Sequence, residues 1–565
     1  MDIRNRRVLI LGGWGLVGTA ILRKLAERKP REVVILSLRE SEARESCTLM
    51  KREFPGITYI PEWGNIFVRS ALKELSRNEL LEQPKYRQQL LADTMEPFNQ
   101  ERFKSAFLHQ VISRHKPHII IDAVNTATAL AYQDLYNGYY RLKREMDSDK
   151  KGDNKALFTE VERMLTTLYT PQIIRHIQIL HASMLKNKTS IYIKIGTTGT
   201  GGMGLNIPYT HSEERPSRVL LSKSSLAGAH TMLLFLMGRT PGGPIIKEIK
   251  PAAAIAWKGI NYGEVNRRGK PIRLYDCDPE NAILLENIFT FAPEPTWKDL
   301  NSTLKSVYID TGENGIFSRG EFETITSAGQ MEFVTPEEIA INVILEIIGD
   351  STGHDILNAL NNSIMGPTYR AGYIRHFALE EMERLQNKHQ VESVAFENLG
   401  PPRLSKILYE THLLKLIANN IPDIIAISSE KLAERVQELI HSDKNLRSQI
   451  ISIGIPILLS DGKHLLRGPE VMIPSRLGRE ALPIDREQLN EWAYSGWVDL
   501  RVENFKLWKS RLKKIYQYVK SLNPEDTSSQ HQHGRQYWNV DQPLNIGKIA
   551  AWIFVNEDKG LRIKR

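Results

Sequence analysis

A chain of 565 residues, 41% hydrophobic and 25% charged, has the proportions of a globular protein with ample core, and its length allows three or four domain-sized units. Its formal net charge of +9 suits anionic ligands; no nucleic-acid-binding module accompanies that charge and basic residues are mixed with acids throughout, so nucleic acid is not an expected partner. No apolar segment reaches the roughly 18 residues that span a bilayer. No signal-type apolar region precedes the first strand, and two cysteines, Cys47 and Cys277, make no disulfide framework, so the expected compartment is the cytoplasm, away from membranes.

The first eighteen residues organise the rest. Val8-Leu9-Ile10-Leu11 is an apolar run of strand length. It breaks into Gly12-Gly13-Trp14-Gly15-Leu16-Val17-Gly18 and then into Thr19–Leu25, which has helical spacing. Strand, glycine turn and helix in that order are the context of a dinucleotide fingerprint. The glycines permit a tight turn and close backbone approach, and the helix start offers free N–H groups to a pyrophosphate. Glu32–Arg39 reads as a second strand. Its end holds Ser37 where an acid would grip the ribose of NAD, with Arg39 two residues on, which favours a 2′-phosphate and hence NADP over NAD.

Ile57–Ile66 reads as the third strand and the loop after it. Residues 70–115 have helical spacing and are too long for a simple crossover, so a helical insertion is expected there. Lys116–Ala127 contains a strand with the apolar run of one buried on both faces, followed by small residues at Ala123, Val124 and Asn125. Tyr132, Tyr136, Tyr139 and Tyr140 follow at helical spacing and read as packing rather than as a cleft lining. A helix through Ile173–Leu185 leads to the fifth strand, Ser190–Ile195, and a glycine-dense loop with Thr197 and Thr198. The sixth strand, Pro244–Ala253, carries Pro251.

The spacing Gly12-x-x-Gly15-x-x-Gly18, the fourth-strand segment and Ser222-Lys223-Ser224 together resemble the extended short-chain dehydrogenase/reductase superfamily, the group of nucleotide-sugar epimerases and dehydratases. The resemblance covers about residues 5–390. It implies an α/β fold: a Rossmann-type doubly wound parallel sheet over residues 1–260, a substrate lobe over 261–390, and beyond it a mainly helical region over 391–565. It also implies an NAD(P) cofactor cradled by Gly12, Gly15, Leu16, Val17, Gly18, Ser37, Arg39, Asn65, Ile66, Ala123, Val124, Asn125 and Pro251. Lys223 matches the lysine of the superfamily's Tyr-x-x-x-Lys, which binds the nicotinamide ribose; Thr197 or Thr198 matches the hydroxyl that orients the substrate oxygen.

One departure is clear: Val219 stands where the catalytic tyrosine belongs. Tyr209 from the preceding loop replaces it, another group does or the chemistry needs none, or the domain binds cofactor without turnover. The resemblance implies hydride transfer between the nicotinamide and a hydroxyl or carbonyl carbon of a small substrate, a sugar or phosphorylated compound among the candidates. The rival is an inactive dinucleotide-binding scaffold or sensor. Phe333–Ala340 resembles the segment that closes the substrate lobe of nucleotide-sugar enzymes.

In 391–565 the helices Leu404–Ile417, Ser429–Ile440 and Val502–Leu522 and one strand-like run, Gln449–Leu459, are legible, and the end, Gly547–Phe554, is apolar enough to dock. His531 and His533 lack ligand-type neighbours, so no metal is expected. This tail reads as a lid or an oligomerisation element, and a homo-oligomer is expected.

Overall fold

In the computed structural model the described residues are 1–131, 135–147, 155–196, 218–251, 254–267, 269–289, 295–311, 315–327, 333–350, 355–357, 362–365, 369–398, 402–474, 485–525 and 535–558. They fall into two compact units: one takes 1–203, 215–256 and 333–368, the other 204–214, 257–332 and 369–565. The boundaries read from the sequence near 260 and 390 do not divide the fold this way. Residues 333–368 return to the first unit, while 369–390 group with the C-terminal region.

Apolar strands build the first unit. β1 (Arg7–Leu11), β2 (Glu32–Ser37), β3 (Thr58–Trp63), β4 (Ile119–Asp122), β5 (Ile191–Ile195), β6 (Ile245–Pro251), β7 (Asp355–Leu357) and β8 (Asn362–Met365) form one sheet in the order β7-β8-β6-β5-β4-β1-β2-β3. Every pairing is parallel except β7 with β8. Alternate residues feed opposite faces, as the period of two in a strand demands. Val8, Ile10, Val33, Ile35, Ile119 and Ile121 enter one core; Leu9, Leu11, Val34, Leu36 and Ile120 enter the other.

Helices cover both faces. α1 (Leu16–Ala26) and α6 (Pro336–Ile348) pack on the first core. α3 (Phe107–His115), α4 (Tyr169–Asn187) and α5 (Arg218–Gly238) pack on the second, while α2 (Glu40–Glu53) lies against β2 and β3. This is the doubly wound Rossmann-type architecture, and the strand order reverses between β1 and β4, where such folds bind ligands. The segment Phe333–Ala340 does not close a separate lobe. It opens α6, whose start is fixed by a capping box between Thr335 and Glu338 and whose buried face, Ile339, Val343 and Ile347, joins the sheet core.

The insertion between β3 and β4 holds a short turn at Ser70–Leu72 and helices Arg77–Glu82, Pro84–Met95 and Gln100–Ser105 around its own core of Val68, Leu72, Leu80 and Leu90. The remainder of the 70–115 stretch is α3, an ordinary crossover helix. Tyr139 and Tyr140 are half-exposed and touch each other edge-on instead of packing in a core, and Tyr132 lies outside the described residues.

The second unit holds short, mainly antiparallel sheets, with Ile457–Leu458 pairing in parallel with Val498–Asp499, and many helices. Its central helix, Pro402–Ile417, is buried from Pro402 to Leu414. Lys406 Nζ donates to Glu410 Oε1 (2.6 Å) and to the carbonyls of Trp497 (2.7 Å) and Ala493 (3.2 Å). Glu410 also accepts from Asp499 N–H (2.8 Å) and Trp508 Nε1–H (2.7 Å). The C-terminal helix Ile546–Asn556 packs against the helices Arg319–Ser327 and Pro402–Ile417. The run Gln449–Leu459 is not one strand. Asp443 caps a helix over Lys444–Ser452, Gly454 turns the chain at φ +88°, and only Ile457–Leu458 is strand. Among the described residues no helix is long and apolar enough to cross a membrane.

Candidate functional site

The glycine turn sits at the carboxyl end of β1. Gly12 has φ +79°, and a Cβ there would lie 3.2 Å from the Ala123 carbonyl group, so both backbone conformation and space require glycine. At Gly18 an added Cβ would stand 2.2 Å from the Gly12 oxygen, which closes α1 tightly onto the turn. At Gly15 the nearest atom is the Gly12 oxygen at 3.5 Å, so this residue's outer side faces open space. Gly15 is the N-cap of α1 and offers no side chain to the first-turn N–H groups of Leu16, Val17 and Gly18. A bare helix start over an open face fits the pyrophosphate of a dinucleotide.

A cleft of about 750 Å³ opens from this turn. Of the residues expected to bind cofactor, Gly12, Gly15, Ser37, Arg39, Asn65, Ile66, Ala123 and Val124 line it. Leu16, Val17, Gly18, Asn125, Lys223 and Pro251 lie outside its wall.

Ser37 does more than leave a gap for a phosphate: it is buried, and its Oγ accepts the Trp14 N–H (3.2 Å), steadying the turn. Arg39 is exposed at the start of α2, and its guanidinium makes no hydrogen bond or ion pair among the described residues. Its N–H is taken by Glu42 Oε2 (3.2 Å), which brings an unforeseen carboxylate to the same rim. Asn65 spends its side-chain oxygen on the Phe67 N–H (2.9 Å), leaving its amide nitrogen for a ligand.

Beside the turn, at the ends of β4, β5 and β6, lies a buried charge cluster. Lys194 Nζ donates to the Val124 carbonyl (2.6 Å) and to Thr126 Oγ1 (3.2 Å), and pairs with Asp122 (2.9 Å). Asp122 accepts from Val124 N–H (2.9 Å) and Tyr192 Oη–H (2.7 Å). Burial alone would raise the Asp122 carboxyl, but Lys194 and Tyr192 hold it below the usual range, while burial beside Asp122 pushes the Tyr192 phenol well up. Burial lowers His176 to about 4 and His230 to about 3. Burial also raises Glu248, against Lys250 and Thr231; its Oε2 makes no hydrogen bond but lies 3.8 Å from Lys250 Nζ, and a Cβ at Gly196 would stand 2.2 Å from its Oε1.

The cluster therefore fixes the Ala123–Val124 backbone that the cleft exposes. The sequence reading passed over it, although a lysine and an aspartate inside otherwise apolar, fully buried strands are the kind of exception that signals a partner.

Lys223 is buried on α5, one turn beyond Val219, with Leu226, Ala227 and His230 on its buried side. Thr197, Thr198 and Tyr209 lie outside the described residues, as do His531 and His533. Pro251 ends β6 and is half-buried beside Met365 of β8. Among the described residues no group of three or more metal-ligating side chains comes together.

The family model of the beta-methylindole-3-pyruvate reductase C-terminal domain matches residues 274–558, half of the chain. The chain belongs to that family. In this family member the matched stretch runs across the expected boundary at 390, where the sequence resemblance ended. No curated protein matches the chain.

Solved structures similar to it include the Bordetella bronchiseptica enzyme WbmH in complex with NAD+, at 12% identity and TM-score 0.24, covering 61% of this chain and 72% of that one. A blue fluorescent protein from a metagenomic library in complex with NADPH has 11% identity and TM-score 0.30, covering 65% and 98%. A 3-oxoacyl-(acyl-carrier protein) reductase from Brucella melitensis has 11% identity and TM-score 0.29, covering 64% and 90%. The overlaps are weak; the sheet order and glycine turn themselves show that the first unit has a doubly wound Rossmann-type fold.

Proposed function

We propose that the protein is an NAD(P)-dependent oxidoreductase that reduces a carbonyl, or oxidises a hydroxyl, of a small substrate. The observation that carries this reading is the open glycine turn at the switch point of the sheet, leading into the cleft. Bound there, a nicotinamide dinucleotide supplies or accepts a hydride. The N–H groups at the start of α1 hold its pyrophosphate, Asn65 and Ile66 flank its adenine, and Arg39 binds a 2′-phosphate, so NADP is preferred.

Lys223 holds the nicotinamide ribose, and Lys194 keeps the Val124 carbonyl turned away from the cofactor's path. The sequence resemblance assigns the proton on the substrate oxygen to Thr197, Thr198 or Tyr209. The family's name directs the first substrate trials to aryl-substituted 2-oxo acids, with nucleotide sugars as the comparison panel.

The test is turnover of NADPH on that panel with the full chain and with Lys223→Met. Loss of at least about 100-fold in kcat/KM with dinucleotide still bound supports the assignment. A variant as active as the parent removes Lys223 from the chemistry. A parent that binds dinucleotide yet turns over no substrate favours the scaffold reading.

A further inference from the structure

The cleft is larger than the glycine turn needs. Past Asn65 it continues beneath the inserted helices, where its wall is made by the insertion on one side and α4 on the other. Two arginines stand in that wall. Arg77, at the first position of its helix, donates through Nη2 to the Thr166 carbonyl (2.7 Å) and to Thr166 Oγ1 (3.3 Å). Its Nε is buried without a partner, and it forms no ion pair among the described residues.

Arg175, on α4, donates to the carbonyls of Glu96 and Thr94 and lies over the Phe98 ring (5.4 Å), while its Nε and Nη1 are buried without hydrogen-bond partners. Gln172, one turn before it, shares the Thr166 carbonyl with Arg77 (2.9 Å), so the two arginines border one patch of the wall. The other cations there are engaged: Arg69 with Asp93, and Arg102 with Glu96.

A guanidinium stays charged at any accessible pH. Holding one in a largely enclosed wall without an ion pair is unfavourable unless an anion completes it. Burial acts on Arg77 unopposed, lowering it to about 10, whereas Arg69, paired with Asp93, is raised. An unpaired guanidinium fork matches a phosphate in charge and geometry.

We propose that Arg77 and Arg175 form a phosphate-binding subsite in the inner part of the cleft, separate from the pyrophosphate position at the glycine turn. The subsite stands on its own geometry, but its placement beside the adenosine end rests on the dinucleotide reading. The phosphate belongs either to a separate phosphorylated ligand or, in place of the Arg39 contact, to the cofactor's 2′-position.

The experiment is calorimetric titration of the full chain with inorganic phosphate, alone and with NAD at saturation to block the glycine turn, and with NAD and NADP separately. The parent is compared with Arg77→Gln, Arg175→Gln and Arg77→Lys; thermal unfolding checks that each variant folds. The expected result is phosphate binding that persists under NAD and falls at least tenfold in both glutamine variants, with NAD affinity unchanged and Arg77→Lys intermediate. If NADP affinity falls alongside, the cofactor supplies the phosphate; if NADP is untouched, a separate ligand does. Phosphate that fails to bind the parent under NAD, or that binds folded glutamine variants as tightly as the parent, overturns the subsite. A parent that binds phosphate but neither dinucleotide keeps the subsite and removes the oxidoreductase reading.

Discussion

Each unit buries a lysine–carboxylate pair, and the two pairs are finished differently. In the second unit Lys406 and Glu410 satisfy one another and are further saturated by Trp497, Ala493, Asp499 and Trp508. In the first unit Lys194 and Asp122 are equally well bonded, but they stand beside a cleft, and Lys194 holds the carbonyl of Val124, a residue of its wall. A saturated buried pair fixes packing. A buried pair that holds the wall of a cleft also sets the backbone that a ligand in the cleft would meet.

The sharpest way to break that contrast is to remove the lysine from each pair. Lys406→Met and Lys194→Met each strand a buried carboxylate and are expected to cost about 3–5 kcal/mol in denaturant unfolding. Dinucleotide affinity separates them: folded Lys406→Met binds as the parent does, whereas Lys194→Met binds more weakly because the Val124 carbonyl loses its donor. Equal effects on binding would erase the distinction.

Acid and base should expose the contrast next. In the first unit the Asp122 carboxyl is held low, so its contribution is present above the unfolded carboxylate pKa of about 3.9 and is lost as pH falls towards the folded value. In the second unit burial raises Glu397 from 4.5 to about 8, with the Ser405 hydroxyl bonded to it only partly offsetting. Between those two values the folded state keeps a proton that the unfolded state has shed, so stability falls as pH rises across the window. Glu397→Gln should flatten the profile of unfolding midpoint against pH between 5 and 8; an unchanged slope would place its origin elsewhere.

The smallest effect concerns the rim of the cleft. Arg39→Ala should weaken NADPH binding by about tenfold, the worth of one charge-assisted hydrogen bond, and leave NADH unaffected. Equal losses for both cofactors would remove Arg39 as the 2′-phosphate contact.

How far the sequence could be read follows from how local each signal is. Gly12, Gly15 and Gly18 and the apolar strands are local patterns, so the turn, sheet and helices of the first unit were legible. The Lys194–Asp122 pair joins residues on different strands, and no local period announces it. Phe333–Ala340 looked like part of a separate lobe because nothing in its own residues says that the chain returns there to cover the first sheet. Gln449–Leu459 was read as one strand because an apolar run lacks a decisive period; the Asp443 cap and the turn at Gly454 decide otherwise. The replacement for the tyrosine missing at Val219 was left open by the sequence, and its candidates lie outside the described residues.

The central claim is that the turn at Gly12–Gly18 holds a dinucleotide. The most direct test is fluorescence titration of NADPH and NADH into the full chain and into Gly18→Ala, whose Cβ would stand 2.2 Å from the Gly12 oxygen. The account predicts saturable binding to the parent, tighter for NADPH, and a loss of at least about tenfold in a folded Gly18→Ala. Parent protein that binds neither cofactor, or a folded variant that binds as well as the parent, would contradict it.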